Sequence, residues 1–535
     1  MSERIPLLNS LRKKTLKKGI SNSLIKKLLI FVSLAAIIIT IVLQFLIIPP
    51  KSFPSERKKN FIFFVTDGTG PNYITMARNY KQFISNDYSQ KLHLDEHLAG
   101  TSRTRSNSSW VTDSAAGATA FSCMLKTYNG AIGVNPFQNP CGTVLEAAKL
   151  AKYLTGLVVT TRITDATPAA FSAHVDYRSQ EDQIAEQQIG NGMVDLMIGG
   201  GLQHFVSTGR KDGRNIIQEL ANDWTIANNA SSFFDIYNSN ISAKHNILPF
   251  ISLFEMGDVP FQIDRENMEY DGPSLKEEAE LALNLLHSSS ENKKGFFLLI
   301  EGSRIDHCGH SNDAACIPRE VMAFDEAFEY VKSFADKHPE EDFIMFSTSD
   351  HETGGMTLSR QLDSNYPDYV WFPEVIHKVK HSGQYMTKKL LTEENIDKDY
   401  IETKVMAEWM GIEDYTKQNV KEILTLIQQK DAGSLQDYIN NLVSTRARIG
   451  FTTHGHSAVD VNTYVHANSE SLLNYVLQNV RGNRENIEFG NLVVEFLGLN
   501  MTAANEFASE VNHGPLVFST QQSSILSFDE YHKDI

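Results

Sequence analysis

Five short apolar runs, at residues 61–66, 157–161, 194–198, 296–300 and 343–347, limit this chain's fold more than any other feature. They are near-continuous rather than alternating, which is how strands buried on both faces read. Helical patterns separate them at 143–153, 275–287 and 317–337. Strands alternating with helices build a sheet covered on both sides. The expected fold is therefore α/β, with a large central, mainly parallel sheet flanked by helices and carrying inserted segments. The largest insertion is expected at 361–450, away from the functional edge. No internal repeat or long low-complexity segment interrupts the pattern.

The residues just past the strand ends narrow the function. Asp67-Gly68 succeeds the first strand, and Asp165-Ala166-Thr167-Pro168 the second after a short gap. Glu301-Gly302 closes the fourth, with Asp306 and His310 next, and Asp350-His351 comes after the fifth. Ligands bind open parallel sheets beyond the carboxyl ends of the strands. Singly these motifs read as a turn, a salt-bridged helix pair and a chance dipeptide. Jointly they bring carboxylates and imidazoles to one edge. Gly68-Thr69-Gly70 lacks the third glycine of a dinucleotide loop and is set aside.

Between these segments, Thr112-Asp113-Ser114-Ala115-Ala116-Gly117-Ala118-Thr119-Ala120 reads as a small-residue helix opening on Ser114. A capped, tightly packed helix is one reading. The same geometry surrounds a serine oxygen with unpaired N–H groups and the positive end of the helix dipole, which suits an alkoxide or a phosphate. No histidine is spaced as a recognisable base, so a metal ion is the expected activator.

Taken in order, the motifs resemble the alkaline phosphatase family over about residues 60–500, and most of all its membrane-anchored fungal vacuolar type. The matching segments are Thr66-Asp67-Gly68, Val111-Thr112-Asp113-Ser114-Ala115-Ala116, Asp165-Ala166-Thr167-Pro168-Ala169-Ala170 and Ala173-His174-Val175-Asp176-Tyr177-Arg178. Glu301-Gly302-Ser303-Arg304-Ile305-Asp306-His307 with His310, Ser349-Asp350-His351, and His456 with Asp460-Val461 complete the series. The resemblance implies a broad phosphomonoester hydrolase with a phosphoserine intermediate at Ser114, two zinc ions and one magnesium. Asp306, His310 and His456 would bind one zinc; Asp67, Asp350 and His351 the other; and Asp67, Thr167 and Glu301 the magnesium. His456 is preferred to His454 because Asp460 lies beyond it at the family's spacing. Arg178 would hold two phosphate oxygens. Asp165 and His307 would stand just outside the ligands. Some members pair aspartate with lysine at these positions and others carry two histidines; this chain combines Asp165 with His307. A related two-metal phosphodiesterase or sulfatase should lack the magnesium set, and an inactive scaffold should lack ligands, but none is missing. Dimers are usual in the family, so a homodimer is expected.

The rest of the chain bears on location. Residues 28–48 form a 21-residue run whose only polar members are Ser33, Thr40 and Gln44. As a helix it spans about 30 Å, the thickness of the bilayer hydrocarbon. Eight Lys or Arg precede it, from Arg4 to Lys27, and four come closely after it, from Lys51 to Lys59. Basic residues prefer the cytosolic side. The expected arrangement is a cytosolic tail at 1–27, a signal anchor at 28–48, a linker at 49–59, a luminal catalytic domain at 60–500 and a C-terminal tail at 501–535 dispensable for catalysis. Within the first tail, Glu3-Arg4-Ile5-Pro6-Leu7-Leu8 resembles an acidic dileucine signal read by a sorting adaptor. It points to a vacuolar or lysosome-like membrane and a single-pass type II topology.

A lumen permits disulfides. Spacing leaves the connectivity open, and the expected pairs are Cys123–Cys141, which flank a loop after the Ser114 helix, and Cys308–Cys316. Sequons stand at Asn107, Asn229, Asn240 and Asn500. With 65 acidic and 49 basic residues the net charge is −16, and no basic groove suggests a nucleic-acid polymer. An anionic ester must then be drawn in by local cations.

Overall fold

The computed structural model describes Lys27, Phe31 and residues 56–219, 222–239, 247–290 and 294–512. The expected membrane span (but for Phe31), the dileucine motif and Asn240 lie outside these residues. Among the described residues no helix is long and apolar enough to cross a membrane.

The strands in chain order are β1 Lys59–Val65, β2 Leu98–Arg103, β3 Leu154–Arg162, β4 Leu196–Gly200, β5 Thr225–Ala227, β6 Phe250–Leu253, β7 Phe296–Glu301 and β8 Asp342–Thr348. They continue with β9 Glu352–Thr353, β10 Thr357–Leu358, β11 Ile449–Gly450, β12 His456–Ser457, β13 Val461–Ala467 and β14 Gly482–Glu485. Ten build one sheet in the order β14-β2-β13-β8-β1-β7-β3-β4-β6-β5. Only the two pairings made by β13 are antiparallel; the rest of the sheet is parallel. All five expected strands are present, in the centre and on one flank.

β1 shows why a continuous apolar run was needed. Phe61, Phe63 and Val65 face one hydrophobic core, and Ile62 and Phe64 face the other. The first core takes helices Ser114–Cys123, Val144–Leu150, Ala166–Ser172 and Glu488–Leu497. The second takes Pro71–Ser85, Leu275–Ser289 and Ile317–Asp336. Phe63 packs edge-on or tilted against Phe121, Phe171 and Phe346, with ring centroids 5.4, 5.5 and 5.2 Å away. Such ring pairs add about 0.5–1.5 kcal/mol each beyond burial. One side chain thus clamps two short helices, those beginning at Ser114 and Ala166, onto the sheet.

One expectation changes. The 361–450 insertion is helical but not remote: Gln436 Nε2 donates to Ser311 Oγ at 2.9 Å and Asn440 Nδ2 to the Ser311 carbonyl at 2.7 Å, one residue past His310. Beyond residue 500, helix Met501–Ala508 packs on the domain. Asn505 Oδ1 accepts the Gly142 N–H at 2.8 Å, and Gln183 and Gln187 both donate to the Asn512 carbonyl at 3.0 Å. Cys123–Cys141 and Cys308–Cys316 are both disulfide-bonded, and the described residues include no free cysteine.

Candidate active site

Register puts the strand ends together. Val65 lies opposite Glu301 on one side and Thr348 on the other. Asp67, Glu301 and Asp350 therefore emerge at one level of the parallel sheet. The chain leaves β1 through Gly68, whose φ is +71° and whose added Cβ would stand 2.6–2.8 Å from atoms of Asp306. Only glycine suits both the conformation and the approach. Ser349 binds the loops together, with its hydroxyl 2.6 Å from the Thr66 carbonyl oxygen while it accepts the Thr69 N–H at 2.9 Å.

Ser114 is the first residue of its helix and is 2% exposed. Asp113 caps that helix by accepting the Ala116 N–H at 3.0 Å, and its other oxygen accepts the Gly130 N–H at 2.9 Å. The small residues have a steric reason: a Cβ on Gly117 would sit 3.0 Å from Asp350 Cβ. The helix therefore presses Ser114 against the strand ends. Ser114 Oγ lies 3.0 Å from His351 Nε2. That nitrogen is 3.2 Å from Asp350 Oδ2 and 3.6 Å from Asp67 Oδ1. Sequence spacing gave no sign of a histidine beside the serine, because 237 residues separate the two.

Asp306 and His310 come from helix Arg304–His310, and His456 from β12, held by its pairing with β9. His310 Nε2 is 3.2 Å from Asp306 Oδ2 and 3.1 Å from His456 Nε2. The Nδ1 of His456 faces the Thr112 carbonyl at 2.8 Å, and that of His310 faces the His454 carbonyl. With those Nδ1 protons donated to carbonyls, a neutral imidazole at either position would turn an Nε2 lone pair toward the Asp306 carboxylate, an arrangement that calls for a cation there, either a proton on the ring or a metal ion. His454 itself is turned outward, 56% exposed at the side chain, with its Nδ1 2.8 Å from the His310 carbonyl. Thr353 binds Asp306 and approaches His351 Nδ1 at 3.3 Å; sequence reading missed it.

Glu301 accepts from Ser303 Oγ at 2.6 Å and feels the Thr167 hydroxyl. Arg178 donates to Asp165 Oδ1 at 3.0 Å and lies 3.5 Å from Asp113 Oδ2, which joins it to the nucleophile helix. His307 lies beside Arg304, which is tied to Asp258; neither partner was singled out from the sequence.

The electrostatics match this donor set. Burial, then the negative charges of its neighbours, pushes Asp67 well above the usual carboxylate range. Burial likewise lifts Asp350 to about 7 and Glu301 to about 8, with Asp306 and Asp165 the leading neighbouring charges. Burial also acts on Asp306, but the charge and hydrogen bond of His310, then His456 and His351, outweigh it and hold that carboxyl well below its ordinary value. Burial, reinforced by Arg304, lowers His307 to about 4. Asp67 Oδ1 and Asp350 Oδ2 are buried and accept no hydrogen bond from the described residues. Crowded carboxylates and convergent imidazole lone pairs fit divalent cations.

This geometry agrees with what the chain is similar to. The family model described as alkaline phosphatase matches residues 58–499. The chain belongs to the alkaline phosphatase family. It is 48% identical over 518 residues to the repressible alkaline phosphatase of Saccharomyces cerevisiae, covering 91% of this chain and 90% of that one. The alkaline phosphatase of Thermus thermophilus superposes with a TM-score of 0.72 at 26% identity, over 86% of this chain and 96% of that one. A variant of the TAB5 alkaline phosphatase, 26% identical, has a TM-score of 0.56 over 83% of this chain and 99% of its own. That variant has magnesium bound in its M3 site.

Proposed function

We propose that this family member is a metal-dependent phosphomonoester hydrolase of broad specificity that works through a phosphoserine at Ser114. The observation that carries the reading is Ser114 Oγ, buried at a helix start and 3.0 Å from an imidazole nitrogen that also faces Asp67 and Asp350. Asp306, His310 and His456 would hold one zinc, and Asp67, Asp350 and His351 the other. Zinc accepts such mixed nitrogen and oxygen ligands. Asp67, Thr167 and Glu301 offer only oxygens, which suits magnesium. Bound there, the ions would lower the pKa of the serine hydroxyl and offset charge on the phosphoryl oxygens.

The chain's own residues account for the rest. The Ser114 helix directs its N-terminal N–H groups and dipole at the oxygen that attacks phosphorus. Arg178 presents a planar fork to two phosphoryl oxygens. Asp113 and Asp165 hold that fork between the nucleophile helix and the Ala166 helix. The P–O bond to the alcohol breaks as the serine ester forms, and water then hydrolyses the ester.

The proposed location rests on the sequence: a type II anchor at 28–48, a luminal catalytic domain, a vacuolar or lysosome-like membrane, an adaptor at Glu3-Leu8 and a homodimer. Asn107, Asn229 and Asn500 are exposed, as glycosylation requires. Hydrolysis of p-nitrophenyl phosphate by the protein, abolished by chelation and restored by zinc with magnesium, tests the activity. Turnover that survives exhaustive chelation would reject it.

A further inference from the structure

The mechanism makes no use of one fully buried ion pair, His174 with Glu146. His174 Nε2 lies 2.8 Å from Glu146 Oε1. Its Nδ1 lies 2.7 Å from the Gly133 carbonyl oxygen, which only accepts, so that nitrogen carries a proton. Glu146 Oε2 accepts the Thr143 N–H at 2.9 Å, so both carboxylate oxygens are engaged. Burial alone would lower the His174 pKa, but the charge and hydrogen bond of Glu146, then the Gly133 carbonyl, outweigh it and raise it above its ordinary value. Glu146 is fixed in turn, in the first turn of helix Val144–Leu150, whose Val144, Leu145 and Ala148 are in the core.

The segments that His174 touches lead to Arg178. A Cβ on Gly133 would stand 2.7 Å from His174 Nδ1, so the ring needs a glycine there. The Gly133 N–H donates at 3.1 Å to Thr119 Oγ1, on the Ser114 helix. Next to it, Ile132 and Val175 exchange N–H bonds with each other's carbonyls at 3.2 and 3.0 Å. The Arg178 N–H donates to the Gly130 carbonyl at 2.8 Å, and the Gly130 N–H donates to Asp113. Gln187 holds the His174 backbone from another side, accepting its N–H at 2.6 Å and donating to its carbonyl at 2.8 Å.

We propose that His174, bound to Glu146 and Gly133, is a positioning residue that fixes the segment carrying Arg178 against the Ser114 helix. Residues 130–133 bridge the two, and the imidazole pins that bridge to a core helix. The guanidinium is thereby held ready for two phosphoryl oxygens before substrate arrives. This rests on the reading of Arg178 as the residue that binds phosphate.

The test uses the full chain loaded with zinc and magnesium, with inorganic phosphate as the probe. Glu146→Gln leaves one acceptor where two are needed, so the Thr143 or the His174 bond is lost. Its phosphate inhibition constant and its KM for p-nitrophenyl phosphate should rise about 10-fold, while kcat falls less than about threefold and bound metal is unchanged. Gln187→Ala, which spares the ion pair, should give a smaller rise of the same kind, and it serves if Glu146→Gln does not fold. In an Arg178→Ala background neither substitution should change phosphate inhibition more than about twofold, because the group they position is gone. Wild-type phosphate inhibition in either folded variant would overturn the proposal. So would equal rises in both backgrounds, or loss of bound metal, each of which would mean a general loosening of the domain. Wild-type inhibition in Arg178→Ala alone would overturn the reading of Arg178 and this proposal with it, and that single variant tells the two failures apart.

Discussion

Ser114 and His351 frame the chemistry at the scale of single residues. Their 3.0 Å contact fits either a serine that shares a cation with the imidazole or a serine–histidine pair acting alone. The carboxylates around His351 decide between these, since a lone base would not be surrounded by Asp67 and Asp350 with buried oxygens left unsatisfied. Ser114→Ala should lower kcat by at least about 1000-fold and abolish acid-stable phosphoenzyme, with bound metal nearly unchanged. Asp350→Asn should lose metal and activity together, and metal analysis beside a phosphate-labelling assay separates the two variants. A second residue-scale prediction concerns His204, which lies 3.1 Å from Glu181 and 2.8 Å from Asp182. Burial alone would lower its pKa, but Glu181 and Asp182 outweigh it and push it up to about 9 from 6.5. Its folded value exceeds the unfolded one, so its contribution to stability is complete below about pH 6.5 and is lost as pH rises through about 9. Urea midpoints from pH 6 to 10 should fall more steeply for the native chain than for His204→Gln. Parallel slopes would count against the ion pair.

At the scale of elements, the Cys123–Cys141 bridge closes an 18-residue separation directly after the nucleophile helix. By loop-closure entropy such a bridge is worth about 3 kcal/mol. Replacing both cysteines by serine should lower the unfolding free energy by roughly that amount, read from denaturant curves, while Ser114 stays in place. What the sequence made legible is clearest here too. β1, β3, β4, β7 and β8 are buried on both faces, so their apolar runs stood out. β2, Leu-Ala-Gly-Thr-Ser-Arg, has no continuous large apolar run, and β14, Gly-Asn-Arg-Glu, has none at all; the pairing of both lies far off in the chain. β5 has three residues, and β13, the reversed strand of the sheet, interrupts its apolar residues with Asn462, Thr463 and His466. Local pattern carries no record of such partners. Most site residues were readable because each sits at the end of a recognisable strand or the start of a helix. Their mutual contacts were not, since Ser114 with His351 and Arg304 with Asp258 meet only through tertiary packing.

Across the whole molecule, the division of the chain bears on where the enzyme can be cut. The described residues beyond 500 form a helix that buries Ala504 and Ala508 and holds the loop before helix Val144–Leu150. A protein ending at Asn512 should therefore keep both stability and turnover. One ending at residue 500 should melt at a lower temperature yet carry every expected ligand. Differential scanning calorimetry of the two truncations, with their specific activities, checks this. Loss of metal binding on removing 513–535 alone would show that the tail reaches the site. The anchor proposed at 28–48 belongs to the same scale: if it spans a membrane as proposed, protease added to sealed vesicles should reach only the N-terminal tail.

The central claim is that phosphorus passes through Ser114. A phosphate ester made chiral with oxygen isotopes tests it most directly. Two successive in-line displacements each invert phosphorus, so transfer to serine and then to water, or to an acceptor alcohol, retains configuration. Net retention is the expected result, measured by the configuration of the phosphate ester formed on an added acceptor alcohol. Net inversion would mean a single direct displacement, and the phosphoserine at Ser114 would have to be abandoned.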